Sequence, residues 1–288
     1  MRGRSPVAGK VSLILTTLWI GGIMSCSTHQ SDVLTGLPWT GKFPVLVIAH
    51  RGFSGGAPEN TLAAFKKAMD LGVDMIEFDV LLSEDGQVVV IHDDTLNRTT
   101  NGKGKVANYT LNELKQLDGG SWFGKEFSGE KIPTLQEVLE LTRGQVLLNI
   151  ELKKGDLGRY TMMDLADRSL KEVENAGILN QVVFGSFDSS AIERIREKNP
   201  RIPVALIHDK SWSSPQEATG GRPIPVLSCR GTVLTQTNIS KARQQGVIIF
   251  VWTLNTEEHM EHFLNMGVDG IITDHPERLI KILQTRYR

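Results

Sequence analysis

From Pro44 onward, short apolar runs alternate with stretches in which apolar positions take a helical spacing. The runs are "PVLVIAH", "DMIEFDVLL", "QVVVIHD", "QVLLNIELK", "QVVFGSF", "IPVALIH", "IPVLSC", "VIIFVWTLN" and "GIITD". Between the first two lies "PENTLAAFKKAMDLG", where Leu62, Phe65 and Met69 share one helix face and Gly72 supplies a stop. Near-continuous apolar strands alternating with helices imply a parallel sheet, covered on both faces or closed into a barrel. An eight-stranded barrel leaves one run over. The surplus falls in "DVLLSEDGQVVV", too short for a parallel crossover, where Asp85-Gly86 signals a hairpin. A two-residue turn there pairs Glu84 with Gln87 and Leu82 with Val89, and sets Asp79 opposite His92.

That hairpin breaks the pattern by carrying charge. Glu77 and Asp79 stand inside an apolar strand on one face, by the two-residue period, and His92 waits at the end of the next run. Burying a lone carboxylate costs several kcal/mol, roughly a small domain's whole stability. Two close together stay ionised only beside a cation: a hard divalent ion, or a neighbouring Arg or Lys. "LLNIELKK" repeats the anomaly with Glu151, and Lys153 points to the same side. The first strand ends in His50-Arg51-Gly52 and runs through Gly55-Gly56 toward a helix, a context that lets an anion approach the backbone, with Arg51 as a bidentate phosphate donor. In an α/β barrel, strand ends at the C-terminal face are where the active site is built.

Composition adds the limits. The 288 residues are 40% apolar and 23% charged, enough for a full core, and suit one barrel domain over residues 44–288. The formal net charge of -1, without a basic stripe, argues against nucleic acid. The N-terminus differs: "MRGRSPVAGK" is basic, "VSLILTTLWIGGIM" is apolar and uncharged, and "GIMSCS" places Ser25 before Cys26. Residues 1–26 therefore resemble a bacterial lipoprotein signal, although Met24 departs from the usual small residue and leaves a plain signal peptide or an uncleaved anchor as alternatives. The expectation is an exported chain, held by a lipidated Cys26 on a membrane and facing the periplasm or cell exterior, with residues 27–43 as a tether. Cys229 then has no intramolecular partner and reads as a small buried strand residue. In such a chain the sequons at Asn97, Asn108 and Asn238 are chance matches.

The residues quoted above are also distinctive as a set. "HRGFSGGAPENTLAAF", "IEFDVLLSEDGQVVVIHDDTLNRTTNGKGKV", "IELK", "VWTLN" and "GVDGIITDHP", in order from Pro44 to Leu283, resemble the glycerophosphodiester phosphodiesterase family. The resemblance implies a TIM (β/α)8 barrel, here with a β-hairpin excursion and a small insertion near the active-site face. It implies one divalent cation, Ca2+ or Mg2+, and hydrolysis of glycerophosphodiesters to glycerol 3-phosphate and an alcohol. Carried over by motif, His50 and His92 are the acid/base pair and Glu77, Asp79 and Glu151 the metal ligands. Arg51 and Lys153 would meet the phosphate, Trp252 would wall the site on the glycerol side, and Glu59 lies near the metal. His275 stands where members of that family often carry an aromatic or other residue, a departure that touches none of these roles.

Plainer roles fit the rest. His29, His208, His259 and His262 read as surface or structural, and Trp252 can also be read as barrel core. Trp122 and Phe123 belong to a long excursion that either covers the mouth of the site or packs against the barrel. Two other functions compete. One is phospholipase D-like action on lysophospholipid or sphingolipid head groups. The other is a non-catalytic surface lipoprotein, against which the intact set of histidines and carboxylates speaks.

Overall fold

The computed structural model describes residues 41–288; the expected signal segment, Cys26 with its expected lipid, and most of the expected tether lie outside the described residues. The eight parallel strands are β1 (Leu46–His50), β2 (Met75–Leu82), β4 (Leu147–Leu152), β5 (Val182–Ser186), β6 (Val204–His208), β7 (Val226–Arg230), β8 (Ile248–Trp252) and β9 (Gly270–Thr273). They pair in sequence, and β1 pairs with both β2 and β9, so the sheet closes into a (β/α)8 barrel. The ninth strand, β3 (Val88–Val90), is the expected surplus and runs antiparallel to the upper end of β2.

Strand alternation divides the core. Leu46, Ile48, Met75, Val183, Ala205, Val226, Ile248, Phe250 and Ile272 point inward and fill the lower barrel as a separate apolar plug. Alternate residues point outward into a larger shell under the helices, with Phe65 of α1 (Leu62–Leu71) against Phe78 of β2. Continuing the inward period one step past the plug reaches His50, Glu77 and Asn149, and a second step reaches Asp79 and Glu151. The site is therefore the top layer of the barrel filling, where polar groups replace apolar ones.

Local signals set the helices. Thr61 caps α1 through Ala64 N–H, and Gly72 ends it in the left-handed conformation that glycine adopts without steric cost. Thr134 with Glu137 forms a capping box on α2 (Leu135–Thr142), and Thr161 with Asp164 does so on α3 (Met162–Ala176).

The hairpin corrects one expectation. Leu82 pairs with Val88 and Leu81 with Val89, and Ser83 N–H donates to Gln87 O at 3.0 Å. The loop is thus Glu84-Asp85-Gly86, one residue longer than a two-residue turn, with Gly86 at a φ of 78°. Ile91, not His92, lies across from Asp79, its N–H donating to Asp79 O at 3.0 Å. A one-residue slip should turn His92 away from the carboxylates. It does not, because β3 ends at Val90 and His92 lies on the bend that follows.

The excursion after His92 packs on the side of the barrel. Lys67 Nζ sits 5.9 Å from the Phe127 ring centroid, and Ala63 N–H on α1 reaches Glu130 at 3.4 Å. Trp122 stacks edge-on to Phe123, partly exposed, and neither lines the central cavity. Of the two readings for this segment, packing against the barrel is the one observed.

Candidate active site

A cavity of about 240 Å³ opens at the C-terminal end of the barrel. One side is polar: His50, Arg51, Glu77, His92, Glu151 and Lys153. The other carries Phe187, Ile207, Ser228, Arg230 and Trp252. All the expected site residues line it except Asp79, which lies behind, almost fully buried.

Register brings the carboxylates together. His50 pairs with Glu77 across β1 and β2, and Asp79 pairs with Glu151 across β2 and β4. Parallel partners sit about 4.8 Å apart, so three inward carboxylates converge. One oxygen from each of Glu77, Asp79 and Glu151 lies within 4.8 Å of the others, close enough to hold one metal ion.

Their surroundings differ. Burial pushes Glu77 well above its ordinary pKa, and the charges of Asp79 and Glu151 push it further. Burial, with Asp79 beside it, raises Glu151 to about 7. For Asp79 burial acts in the same sense, but Lys153, Arg51 and His92, with a hydrogen bond from Asn60, outweigh it and keep Asp79 below the usual carboxylate range. Lys153 Nζ lies 2.9 Å from Glu151 Oε1 and 3.5 Å from Asp79 Oδ1. The first contact is poorly aligned, so buried Glu151 Oε1 lacks a well-formed hydrogen bond. Hard oxygen donors, crowded, buried and short of hydrogen-bond donors, fit a divalent cation.

Each histidine is braced from behind. His50 Nδ1 is 2.6 Å from Asp274 Oδ1, and Asp274 also accepts from Ser54 at 2.9 Å and Asn255 at 2.6 Å. Burial opposes ionisation of Asp274, but these bonds prevail and hold it well below the ordinary range. His92 Nδ1 is 2.6 Å from Asp93 Oδ1, and hydrogen bonds from Arg98 depress Asp93 strongly. An ionised carboxylate only accepts, so both Nδ1 atoms carry the proton and Nε2 is left free on each ring. His50 Nε2 lies 4.0 Å from Glu77 Oε2. Burial also lowers the pKa of His92, favouring its neutral ring.

Arg51 sits in the left-handed region with φ 56°, as does buried Asn60 with φ 58°. Such strain in a non-glycine residue persists only where contacts over-determine it. Here Arg51 N–H donates to Glu77 at 3.1 Å, its Nη1 donates to Glu59 at 2.7 Å, and Asn60 N–H donates back to Arg51 O at 3.0 Å. The nearby glycines do a different job from the one their spacing suggests. A Cβ at Gly52 would lie 2.8 Å from Ala64, and one at Gly55 2.6 Å from Asp274 O. They let the loop pack on α1 and on the chain after β9, and neither lines the cavity.

Trp252 Nε1 donates to Ser228 O at 3.0 Å, with Phe187 edge-on at 5.9 Å and the Arg230 guanidinium 5.2 Å from the ring. It lines the cavity and also packs on the top of the inner barrel core. Cys229 is buried and has no disulfide partner among the described residues, its thiol pushed up to about 12 by burial, which suits an inert strand residue. Sequence reasoning assigned nothing to Asp274, Asp93, Arg98 or Asn149. Asp274 had a signal, since it lies two residues past inward Ile272 within a quoted block. Asn149 had the same one, lying two residues before Glu151, and its buried Oδ1 has no partner.

The sequence profile of the glycerophosphoryl diester phosphodiesterase family matches residues 50–278. A glycerophosphodiester phosphodiesterase of Caldanaerobacter subterraneus is 40% identical over 251 residues, covering 83% of this chain and 98% of that protein. One from Bacillus altitudinis is 36% identical over 244 residues, covering 82% and 97%. Among solved structures, an Oleispira antarctica phosphodiesterase in complex with the product sn-glycerol-3-phosphate superposes with a TM-score of 0.79 at 32% identity, over 84% of this chain and 97% of that one. A barrel that closes on the same histidines and carboxylates that the motifs single out, matched along most of its length, places this chain in the glycerophosphoryl diester phosphodiesterase family.

Proposed function

We propose that this protein hydrolyses glycerophosphodiesters to glycerol 3-phosphate and an alcohol, with the help of one divalent cation, Ca2+ or Mg2+. The observation that carries the proposal is one cavity backed by a three-carboxylate cluster, with Glu77 and Glu151 on its wall and Asp79 behind them, and two braced imidazoles beside it. The product bound in the Oleispira antarctica phosphodiesterase is the one expected here.

Glu77, Asp79 and Glu151 would hold the cation, which when bound would neutralise phosphoryl charge. The protein's own groups do the rest. Arg51 and Lys153 offer cations to the phosphate; burial acts against the charge on Lys153, but Asp79 and Glu151 keep its pKa raised. One imidazole Nε2 takes the proton of the attacking oxygen as that oxygen bonds to phosphorus. The other gives a proton to the alkoxide as its phosphorus–oxygen bond breaks, so charge and protons balance. Asp274 and Asp93 hold the two rings in the tautomer this exchange needs. Trp252 and Phe187 supply an apolar wall for the carbon skeleton of the substrate.

A substrate panel tests the reading. Glycerophosphodiesters with different alcohols, lysophospholipids and sphingolipids are assayed with and without added Ca2+ or Mg2+. Turnover of the first group alone, restored by metal after chelation, is expected. Preference for a lysophospholipid or sphingolipid would move the protein to the phospholipase D-like reading, and no turnover at all would leave a binding protein.

A further inference from the structure

His92 needs an explanation that the hairpin does not provide. β3 is three residues long and ends two residues before it, so no strand ladder sets the direction of this ring. Its brace is Asp93, 25% exposed, which reaches no strand either. What holds Asp93 is Arg98. The guanidinium donates Nε and Nη2 to Asp93 at 2.7 and 3.0 Å, and Nη1 and Nη2 to Glu59 at 2.7 and 2.8 Å. Glu59 lies on the loop after β1 and takes Arg51 Nη1 on the same carboxylate. Arg98 itself does not line the cavity.

We propose that Arg98 is a positioning residue for the hydrolysis proposed above: it ties the bend carrying His92 to the loop carrying Arg51, through the pair Asp93 and Glu59. A planar fork can bridge two carboxylates with fixed angles, which a single ammonium cannot. The bridge joins residues 39 apart in sequence, and so couples two loops that share no strand pairing. Without it, Asp93 keeps only His92 and is free to rotate with it. Glu59 keeps Arg51, so phosphate binding survives while the imidazole loses its aim. The expected signature is therefore loss of turnover more than loss of substrate affinity.

The test is a double-mutant cycle with Arg98→Ala and His92→Ala on the metal-loaded protein. Arg98→Ala alone should lower kcat by roughly 10-fold or more, with KM changed by less than about 3-fold and Tm nearly unmoved. In the His92→Ala background the same change should cost less than about 2-fold, because the ring it positions is gone. Arg98→Lys should recover only part of the loss. A second readout does not depend on turnover: in 15N-histidine spectra the His92 Nδ1 proton should be seen in the parent and broadened by exchange in Arg98→Ala. Absence of activity in the parent on every diester would defeat the hydrolytic reading, while the spectra would still decide the positioning role. Full multiplicative loss in both backgrounds, or an unchanged Nδ1 proton, would overturn the proposal.

Discussion

Carboxylates stand at both ends of the strand β2, half-buried below and buried above, and they behave in opposite ways. At the lower end Asp74 precedes the strand, and its oxygens accept from Val47 N–H at 2.9 Å and Lys42 N–H at 3.0 Å. Asp269 stands in the same place before β9 and accepts from Ile249 N–H at 2.8 Å. The local sequence even repeats, Gly72-Val73-Asp74 and Gly267-Val268-Asp269, each with a glycine that ends a helix. Burial raises both of these carboxyls, but backbone donors of the neighbouring strand answer each one singly. At the upper end Glu77, Asp79 and Glu151 face one another, and Glu151 keeps an oxygen without a well-formed hydrogen bond. A carboxylate satisfied by the fold belongs to the fold. Carboxylates the fold leaves unsatisfied mark the place where something else must bind.

The sharpest way to break this contrast is activity. His50→Ala and His92→Ala at the upper end should each cut turnover by roughly 100-fold or more, while Asp74→Asn and Asp269→Asn at the lower end should stay within about 2-fold. Steady-state kinetics on a glycerophosphodiester decides it, and a large loss in the lower pair would erase the distinction.

Metal dependence of stability comes next. A cation at about 100 times its Kd adds roughly 2.7 kcal/mol to the folded state, which for a chain of this size is a Tm rise of about 5 to 10 °C. Glu77→Gln should raise the Tm of the metal-free protein, because it removes a carboxyl whose ionised form burial and its carboxylate neighbours disfavour, and should shrink the rise on adding Ca2+ or Mg2+. A change at exposed Glu257 should alter neither. Thermal melts with chelator and with metal give both numbers. An unaltered metal response in Glu77→Gln would remove that residue from the ligand set.

The smallest effect is a pH slope at the lower end. Asp269 is raised by burial to about 6, above the ordinary unfolded value near ~4. A raised carboxyl favours the folded state while protonated in it, so its stabilising contribution is full below about pH 4 and is lost as pH rises through about 6. The change is on the order of 2 kcal/mol. Asp269→Asn keeps an oxygen for Ile249 N–H but cannot ionise. Its Tm should vary less between about pH 4 and 6 than that of the parent, and should be higher at neutral pH. Parallel Tm curves for the two proteins would show that Asp269 does not titrate in this window.

Much of this was open to reading before any coordinates. Period-two alternation sets Glu77 and Asp79 on the inward face together, and the two-residue step from Glu151 does the same for Lys153, just past the end of β4, because side-chain direction along a strand is a local property. Gly72 stopped α1 where the apolar period ended, since a left-handed residue there closes the helix at little cost. The hairpin was read correctly in kind and wrongly in register. Asp85-Gly86 marks a turn, but whether the loop holds two residues or three depends on which pairs close beyond it, here Ser83 with Gln87. The approach of His92 to the carboxylates was right only because the strand stops early, a matter no alternation rule contains.

Sequence alone determined the strands, the helix ends, the inward faces and the family, since each rests on neighbours within a few residues or on motifs read in order. Tertiary structure decided who meets whom. Asp79 pairs with Glu151 through the parallel register of β2 and β4; Asp274 lies under His50 across a separation of 224 residues; Arg98 joins Asp93 to Glu59 between two loops. A parallel register is set by how the whole barrel closes and packs its interior, and a bridge between loops by where that closure leaves their ends. Local sequence carries the direction in which a side chain points, and only the closed barrel supplies what it points at.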